Sequence, residues 1–243
     1  MSTSPTKINL ESPPKIPENK NDNWEVPTPD ISHIITEDDT PVNNLISEKQ
    51  QRLLISTLYS SFQTDLPFLA TANVGLFYGI KQPPLVPDIL LSLEVEVPED
   101  WSQKQNRSYF VWEFGKSPEV VIEIVSNKIG NELGSKFQNY ARAGVAYYVV
   151  FDPLQQFGET ILRTYNLLGK DYTPLDNFFL SQVRLGLTIW PGIFEGKEYN
   201  WLRWCDESGR ILLTGDERAE KERQRAERLA ELLRERGIDP DRV

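Results

Sequence analysis

Residues 118–153 are PEVVIEIVSNKIGNELGSKFQNYARAGVAYYVVFDP, and their hydrophobic periodicity changes twice along the segment. Residues 118–126 are a short apolar run with one acid inside it, which is typical of a β-strand covered on both faces. Residues 131–143 have the period of a helix, and Gly144 is a helix stop signal. Residues 146–152 form a second apolar run and predict another strand. The segment is therefore predicted to fold as strand, helix and strand.

The sequence on either side adds further strands and another helix. Residues 46–62 carry their apolar side chains at helical spacing. Residues 74–80 and 86–97 alternate with a period of two, which predicts two strands. Later segments, residues 161–167 and 178–189, predict hairpin strands. This order of elements predicts an α/β sandwich with a central mixed β-sheet flanked by helices.

The first 45 residues differ in composition from the rest of the chain. They hold 7 of the 17 prolines and 8 acidic against 3 basic side chains, a net charge of −5, and they show no sustained apolar periodicity. A segment of this kind has little apolar surface to bury. Residues 1–45 are therefore predicted to be a flexible, acidic, proline-rich arm, and residues 46–215 to be the folded domain.

The last segment, residues 216–243, is predicted to be a charged C-terminal helix. Residues 216–236 contain 7 acidic and 7 basic side chains and neither proline nor glycine, a composition typical of a solvated helix. Ala219, Ala226 and Leu233 recur every seven residues, which is also the repeat of a coiled coil. Both a helix that pairs with another chain and a single helix lying on the body fit this pattern. A homodimer through the body or through this helix is one expectation.

The composition excludes several kinds of site. The single cysteine, Cys205, excludes an internal disulfide and a multi-thiolate metal site, and the single histidine, His33, excludes a multi-histidine site. Any bound metal would therefore have mainly oxygen ligands. The net charge of −10 gives no general attraction to nucleic acid or to anionic lipid.

The sequence also lacks targeting signals for a membrane. No apolar run approaches the roughly 20 residues that span a bilayer. The N-terminus has neither the basic start nor the hydrophobic stretch of a signal peptide. We therefore expect a cytoplasmic protein with no membrane partner.

Two carboxylates occupy positions that call for a chemical explanation. Glu123 lies inside the aliphatic residues 120–125, where an ionised carboxylate is costly unless a cation or several donors meet it. Asp88 follows Pro87 at the start of the predicted strand 86–97, on its polar face. Two strand carboxylates that converge can hold a hard divalent cation, with water and phosphate oxygens as its other ligands.

Lys136 is the third candidate residue. It borders the inward stripe of the predicted helix and can reach toward the sheet. In phosphodiester hydrolysis such a lysine can orient or help to deprotonate the attacking water and offset charge in the transition state. Alternatively, Glu123 and Lys136 form a buried structural ion pair and Asp88 only caps a turn. The residues by themselves favour neither interpretation.

Three segments together resemble the Uma family of proposed bacterial restriction endonucleases, which belongs to the PD-(D/E)XK nuclease superfamily. They are PDILLSLEVEVP, VWEFGKSPEVVIEIVSNK and ELGSKFQNYARAGVAYYVVFDP, and RGIDPD at residues 236–241 is also common in the family. The matching positions are Pro87 and Asp88, Glu123 with Ser126, Lys136 with Tyr140, and Tyr147 and Tyr148 with Asp152 and Pro153. The resemblance covers roughly residues 45–240.

The resemblance implies a restriction-endonuclease-like fold that binds Mg²⁺ or Mn²⁺. Asp88 and Glu123 would be the side-chain ligands. The backbone carbonyl of Ile124 is the third protein ligand that the superfamily implies at this site.

The position of the lysine departs from the short form of the superfamily motif. That form places its lysine where this chain has Val125, and the family moves the role to the following helix, which suits Lys136. Lys128, in the intervening loop, is a competing candidate. Glu132 stands where the family more often has aspartate. Glu48, on the first predicted helix, could be the additional acid of some superfamily members, but its place on the helical wheel predicts a surface position.

Two functions of different classes follow from these residues. The first is a metal-dependent endonuclease that hydrolyses phosphodiester bonds in DNA, and the retained Asp88, Glu123 and Lys136 favour it. The alternative is a catalytically silent module with the nuclease fold that binds or assembles through its C-terminal helix. The acidic charge balance favours this alternative.

Overall fold

The computed structural model of the chain describes residue 30, residues 44–126 and residues 131–240. The predicted arm, residues 1–45, lies almost wholly outside the described residues, and so does Lys128. None of the helices in the described ranges is long and apolar enough to cross a membrane. The elements in chain order are α1 (Leu45–Ser61), β1 (Phe68–Thr71), β2 (Leu76–Phe77), β3 (Ile89–Leu93), a 3-10 helix (Lys104–Asn106), β4 (Tyr109–Phe110), α2 (Val111–Phe114), β5 (Val120–Ile124), α3 (Ser135–Arg142), β6 (Tyr147–Phe151), β7 (Leu162–Leu168), β8 (Asp171–Pro174), β9 (Phe179–Leu180), β10 (Leu185–Phe194), β11 (Lys197–Cys205) and α4 (Gly215–Glu235).

A central mixed sheet contains six of these strands in the order β1-β3-β5-β6-β7-β8. Strands β5 and β6 run parallel, whereas the other neighbouring pairs run antiparallel. A parallel pair requires a crossover connection, and helix α3 supplies it. The predicted α/β fold is therefore confirmed, with its central mixed sheet, its flanking helices and its charged C-terminal helix.

Strand β5 is buried along its whole length, in agreement with its apolar sequence. Its side chains alternate between two hydrophobic layers. Ile122 packs in the layer that contains Leu54 of α1, and Val121 packs in the layer that contains Tyr140 of α3. Because successive side chains of a strand point to opposite faces, Glu123 lies on the same side as Val121, under helix α3.

Strands β2 and β3 are shorter than the sequence predicts. The predicted strand 74–80 is reduced to β2, and the predicted strand 86–97 is reduced to β3. Glu94, directly after β3, has a φ of 57°, a left-handed conformation that interrupts an extended strand. The predicted polar face of this strand is wrong for Ser92, which is fully buried and whose hydroxyl shares a 2.9 Å hydrogen bond with the hydroxyl of Tyr109.

Helix α1 is fixed to a second sheet, whose strand order is β11-β10-β9. The buried Gln50 makes two hydrogen bonds of 2.9 Å with Leu202 of β11. Its Nε2 donates to the Leu202 carbonyl and its Oε1 accepts from the Leu202 N–H. This reciprocal pair fixes the rotation of α1 about its axis and thereby directs the next residue, Gln51, toward the central sheet.

Helix α4 is tied to the body at its first turn. Thr214 and Glu217 form a capping box. The Glu217 carboxylate also accepts hydrogen bonds of 3.0 and 2.6 Å from the buried guanidinium of Arg203. No residue of α4, which is described throughout, is buried, and Leu229 and Leu232 are 52% and 47% exposed. The predicted helix is confirmed, while pairing through it stays a prediction.

The turn that follows β6 is built on Asp152. Its fully buried carboxylate accepts hydrogen bonds from the backbone N–H groups of Gln156, at 2.8 Å, and Phe157, at 2.7 Å. Buried N–H groups are rarely left without an acceptor. Asp152 therefore stabilises the connection between two strands of the central sheet.

We expect Asp152→Ala to lower the free energy of unfolding by about 2–3 kcal/mol, because two N–H groups would lose their acceptor. Asp152→Asn keeps one acceptor oxygen and should lose less. Urea denaturation measures the difference, and Asp176→Ala, at an exposed turn position, is the matched control. Equal stabilities of the Asp152→Ala and Asp176→Ala variants would contradict this role.

Candidate functional site

Glu123 lies at the centre of the candidate site, and helix α3 provides two of its partners. Its side chain is 2% exposed. The Lys136 ammonium donates a hydrogen bond of 2.8 Å to Oε2, and the Tyr140 hydroxyl donates one of 2.6 Å to Oε1. Lys136 and Tyr140 are four residues apart, so they lie on the same face of α3. This face of the helix packs on the sheet beside Glu123, where Tyr140 shares a hydrophobic layer with Val121 of β5.

The electrostatics of Glu123 are dominated by its burial. Burial raises the pKa of this carboxyl to about 7, against the opposing effect of the Lys136 charge and with a further upward contribution from the Asp88 charge. Burial by itself would lower the pKa of Lys136, but the interactions with Glu123 and the charges of Glu132 and Asp88 together raise it. The Glu123 carboxyl group therefore holds its proton more strongly than an ordinary glutamate does.

Asp88 approaches Glu123 from the adjoining strand. Strands β3 and β5 pair with Ile89 opposite Ile122, so the next step of the same register brings Asp88 opposite Glu123. Asp88 is 7% exposed, and its Oδ2 accepts a 2.7 Å hydrogen bond from the N–H of Ile124. Continuation of this register puts the two side chains on the same face of the sheet, and the charge of Asp88 acts on Glu123.

The backbone N–H and C=O groups of Ile124 both point from β5 toward Asp88. Its N–H points at Asp88, whereas the N–H of Val125 donates to Phe151 of β6 at 2.8 Å, toward the other neighbouring strand. The N–H and C=O groups of one strand residue point toward the same neighbouring strand. The carbonyl of Ile124 therefore also lies on the Asp88 side of β5. The structure brings the predicted residues Asp88, Glu123, Ile124 and Lys136 together in one place.

Gln51 of α1 is a site residue that sequence reasoning missed. It is 4% exposed, and its Nε2 donates a 2.7 Å hydrogen bond to Oδ1 of Asp88. Its Oε1 accepts a 2.9 Å hydrogen bond from Asn73. The available signal was a pair of neutral amides, Gln50 and Gln51, shortly before the apolar Leu53 and Leu54 of the helix. Glu48, the acid considered on this helix, lies on the surface as predicted.

Lys136 also faces a second acid, Glu132, in the segment that leads into α3. Glu132 is 5% exposed, and its Oε1 lies 3.8 Å from the Lys136 ammonium. The Tyr148 hydroxyl of β6 donates a 2.9 Å hydrogen bond to the Glu132 carbonyl. Two tyrosines that carry the family resemblance therefore have structural roles. Tyr140 donates a hydrogen bond to the Glu123 side chain, and Tyr148 donates one to the backbone of Glu132.

The donor set of the site suits a hard cation. Across residues 44–126 and 131–240, no three His, Cys, Asp or Glu side chains come together in an arrangement that could hold a metal ion. The ligands on offer are instead two adjacent carboxylates and one carbonyl, all oxygen atoms, which is the type that Mg²⁺ and Mn²⁺ prefer. Such a cation usually keeps several waters and needs few protein ligands. The residues present therefore fit a partly hydrated divalent ion.

Comparisons with known proteins give a family and a similar crystal structure. The Uma2 family, described as "Putative restriction endonuclease", matches residues 28–174, more than half of the chain and all of the site residues above. The chain is also similar to a crystal structure described as a "putative nuclease belonging to DUF820" from Anabaena variabilis ATCC 29413. That similarity has 16% sequence identity and a TM-score of 0.41, and it covers 57% of this chain and 71% of that chain. No curated protein matches the chain.

The pKa of Glu123 predicts how stability depends on pH. In the folded protein the pKa is about 7, above its ordinary value of 4.5, so the folded state holds a proton that the unfolded state has released. The stabilising effect is fully present below pH 4.5 and is lost as the pH rises toward 7. The loss is about 3 kcal/mol for such a shift.

Urea denaturation from pH 4.5 to 8 in the presence of EDTA tests this dependence. The wild type should lose stability with rising pH relative to Glu123→Gln, because the amide does not titrate. Carboxyl groups that do not interact with Glu123 are common to both proteins and cancel in the difference. A difference that stays constant over this range would mean that Glu123 is ionised throughout.

Proposed function

We propose that this chain, which belongs to the Uma2 family of proposed restriction endonucleases, is a metal-dependent endonuclease that hydrolyses phosphodiester bonds in DNA. The observation that carries the proposal is the position of Glu123. It is a buried acid on a strand that is otherwise aliphatic, next to Asp88 and within hydrogen-bond distance of Lys136. Family membership supports a nuclease-like function, and this cluster supports the choice of residues.

The acids that converge near Glu123 support a divalent cation over a purely structural ion pair. Glu123 and Glu132 both lie near the Lys136 ammonium, and Asp88 lies opposite Glu123. Burial raises the pKa of Glu123 and the charge of Asp88 raises it further, whereas the charge of Lys136 lowers it. A structural pair with Lys136 would need only one acid. A bound Mg²⁺ or Mn²⁺ would stabilise the ionised form of Glu123 beside Asp88.

Each residue of the chain has a distinct task in this proposal. Asp88, Glu123 and the carbonyl of Ile124 would hold the cation, which lowers the pKa of a bound water and offsets charge on the phosphate. Lys136, whose side chain is 33% exposed, would orient the attacking water and offset negative charge in the transition state. Tyr140 keeps the Glu123 carboxylate oriented through its hydrogen bond.

The substrate and the compartment are the finer parts of the proposal. A chain with a net charge of −10 has no long-range attraction to DNA. Affinity for a phosphodiester would therefore depend on the bound cation and on Lys136 rather than on a basic surface. We propose the cytoplasm as the compartment, since it contains both Mg²⁺ and DNA.

Asp88→Ala and Glu123→Ala should each abolish DNA cleavage and Mn²⁺ binding while the fold survives, since each removes one of the two carboxylate ligands. Calorimetric titration with Mn²⁺ and cleavage assays on single-stranded, double-stranded and branched DNA measure both effects. Glu96→Ala, which removes an exposed acid beyond the end of β3, is the matched control and should behave as the wild type. The proposal fails if the wild type binds no Mn²⁺ and leaves all three substrates intact.

The second candidate function, assembly through α4 without catalysis, has one supporting observation. The leucines near the end of this helix, Leu229 and Leu232, are about half exposed instead of packing on the body. For this function we expect the wild type to sediment as a dimer and the Leu229→Glu, Leu232→Glu double variant as a monomer. A wild type that sediments as a monomer at tens of micromolar would exclude it.

A further inference from the structure

Glu132 is a buried acid whose hydrogen bonding is incomplete. It is 5% exposed, and its Oε2 is buried without a hydrogen-bond partner in the described part of the chain. Its Oε1 lies 3.8 Å from the Lys136 ammonium, which is close enough for attraction and too long for a hydrogen bond. Buried carboxylate oxygens normally have donors. The Glu132 carboxylate therefore has the capacity to accept a further donor.

The burial of Glu132 is built into the local structure. Its carbonyl is fixed by the Tyr148 hydroxyl at 2.9 Å, and Tyr148 in turn stacks on Tyr140 with ring centroids 5.2 Å apart. The next residue, Leu133, is 40% exposed. The chain thus buries an acid and exposes the neighbouring leucine, the reverse of the usual preference. This inversion indicates that the carboxylate has a task at this position.

Among residues 44–126 and 131–240, Lys136 provides the cation that lies near both acids. Its ammonium lies 2.8 Å from Oε2 of Glu123 and 3.8 Å from Oε1 of Glu132. A divalent cation on Glu123 would repel this ammonium and compete with it for the same carboxylate. The ammonium then has to move, and Glu132 offers the adjacent acceptor. Because Oε1 of Glu132 lies 3.8 Å from the ammonium, a change of side-chain torsion is enough to transfer it.

We propose that Glu132 is a positioning residue that receives the Lys136 ammonium when a divalent cation binds Glu123. In the metal-free state Lys136 neutralises Glu123, and in the metal-bound state it pairs with Glu132 and stays beside the cation instead of moving into solvent. Tyr140 continues to orient Glu123 in both states. This inference rests on the proposed function, since it requires that Glu123 binds a cation.

The experiment is a double-mutant cycle read by calorimetric titration with Mn²⁺. The proteins are the wild type, Glu132→Gln, Lys136→Met and the double variant, each checked for folding by circular dichroism. Glu132→Gln should weaken Mn²⁺ binding about tenfold, the size typical of residues that support a metal ligand. In the Lys136→Met background the same change should have an effect of less than about twofold, because there is no ammonium to receive. Glu119→Gln, which removes another lysine-paired acid, is the control and should leave the affinity unchanged.

A second measurement does not depend on replacing Lys136. Acetic anhydride labels accessible lysines, and mass spectrometry measures the extent of labelling at Lys136 with and without Mg²⁺. In the wild type Mg²⁺ should leave this labelling nearly unchanged, since the ammonium passes from one buried acid to the other. In Glu132→Gln Mg²⁺ should increase it several-fold. Glu132→Asp, which keeps the charge, should restore the protection.

The outcomes separate this inference from the proposed function. Equal weakening of Mn²⁺ binding by Glu132→Gln in both backgrounds would show that Glu132 acts on the cation directly, and the positioning role would be overturned. An unchanged affinity in both backgrounds, or equal labelling with and without Mg²⁺ in Glu132→Gln, would overturn it as well. A wild type that binds no Mn²⁺ would remove the proposed function and this inference together.

Discussion

The site depends on one energetic constraint, the burial of the Glu123 carboxylate in an otherwise aliphatic strand. Burial is the largest cause of the raised pKa of this group, which is about 7 after the effects of its charged neighbours. The ionised carboxylate is therefore unfavourable in the folded chain unless a positive charge stabilises it. Lys136 and Tyr140 of helix α3 stabilise the carboxylate through the hydrogen bonds that they donate. Asp88, at the start of the adjoining strand, lies opposite Glu123, and its charge raises the pKa of Glu123 further. A fold that needed only a core would place an aliphatic side chain there and lose nothing.

The surrounding structure fixes the geometry of these few groups. Gln50 is bonded twice to Leu202 and sets the rotation of α1. This rotation is what allows Gln51 to hold one oxygen of Asp88, while the N–H of Ile124 holds the other. The carboxylates are therefore positioned by groups from the first helix and from the central strand. Elements far apart in sequence converge on one face of one strand, which is characteristic of a preorganised site.

The sequence contained much of this structure, and its limits have physical reasons. The strand, helix and strand of residues 118–152 could be predicted because each has its own hydrophobic period. Glu123 and Lys136 could be selected because an acid among aliphatic residues and a lysine on an inward helix face are both costly. The lengths of β2 and β3 could not be predicted, since they end where loop backbone such as that of Glu94 turns left-handed. Gln51 was missed because a neutral amide has no unusual cost on a helix until its buried partner is known.

The central claim is that Asp88 and Glu123 share one divalent cation. Anomalous diffraction from crystals grown with Mn²⁺ tests it most directly, because the scattering locates the ion independently of any assay. The account predicts one anomalous peak bonded to an oxygen of Asp88 and an oxygen of Glu123, on the side of the strand that faces α3. No peak at that position, with the Lys136 ammonium still hydrogen-bonded to Glu123 at saturating Mn²⁺, would contradict the account and identify the cluster as a structural ion pair.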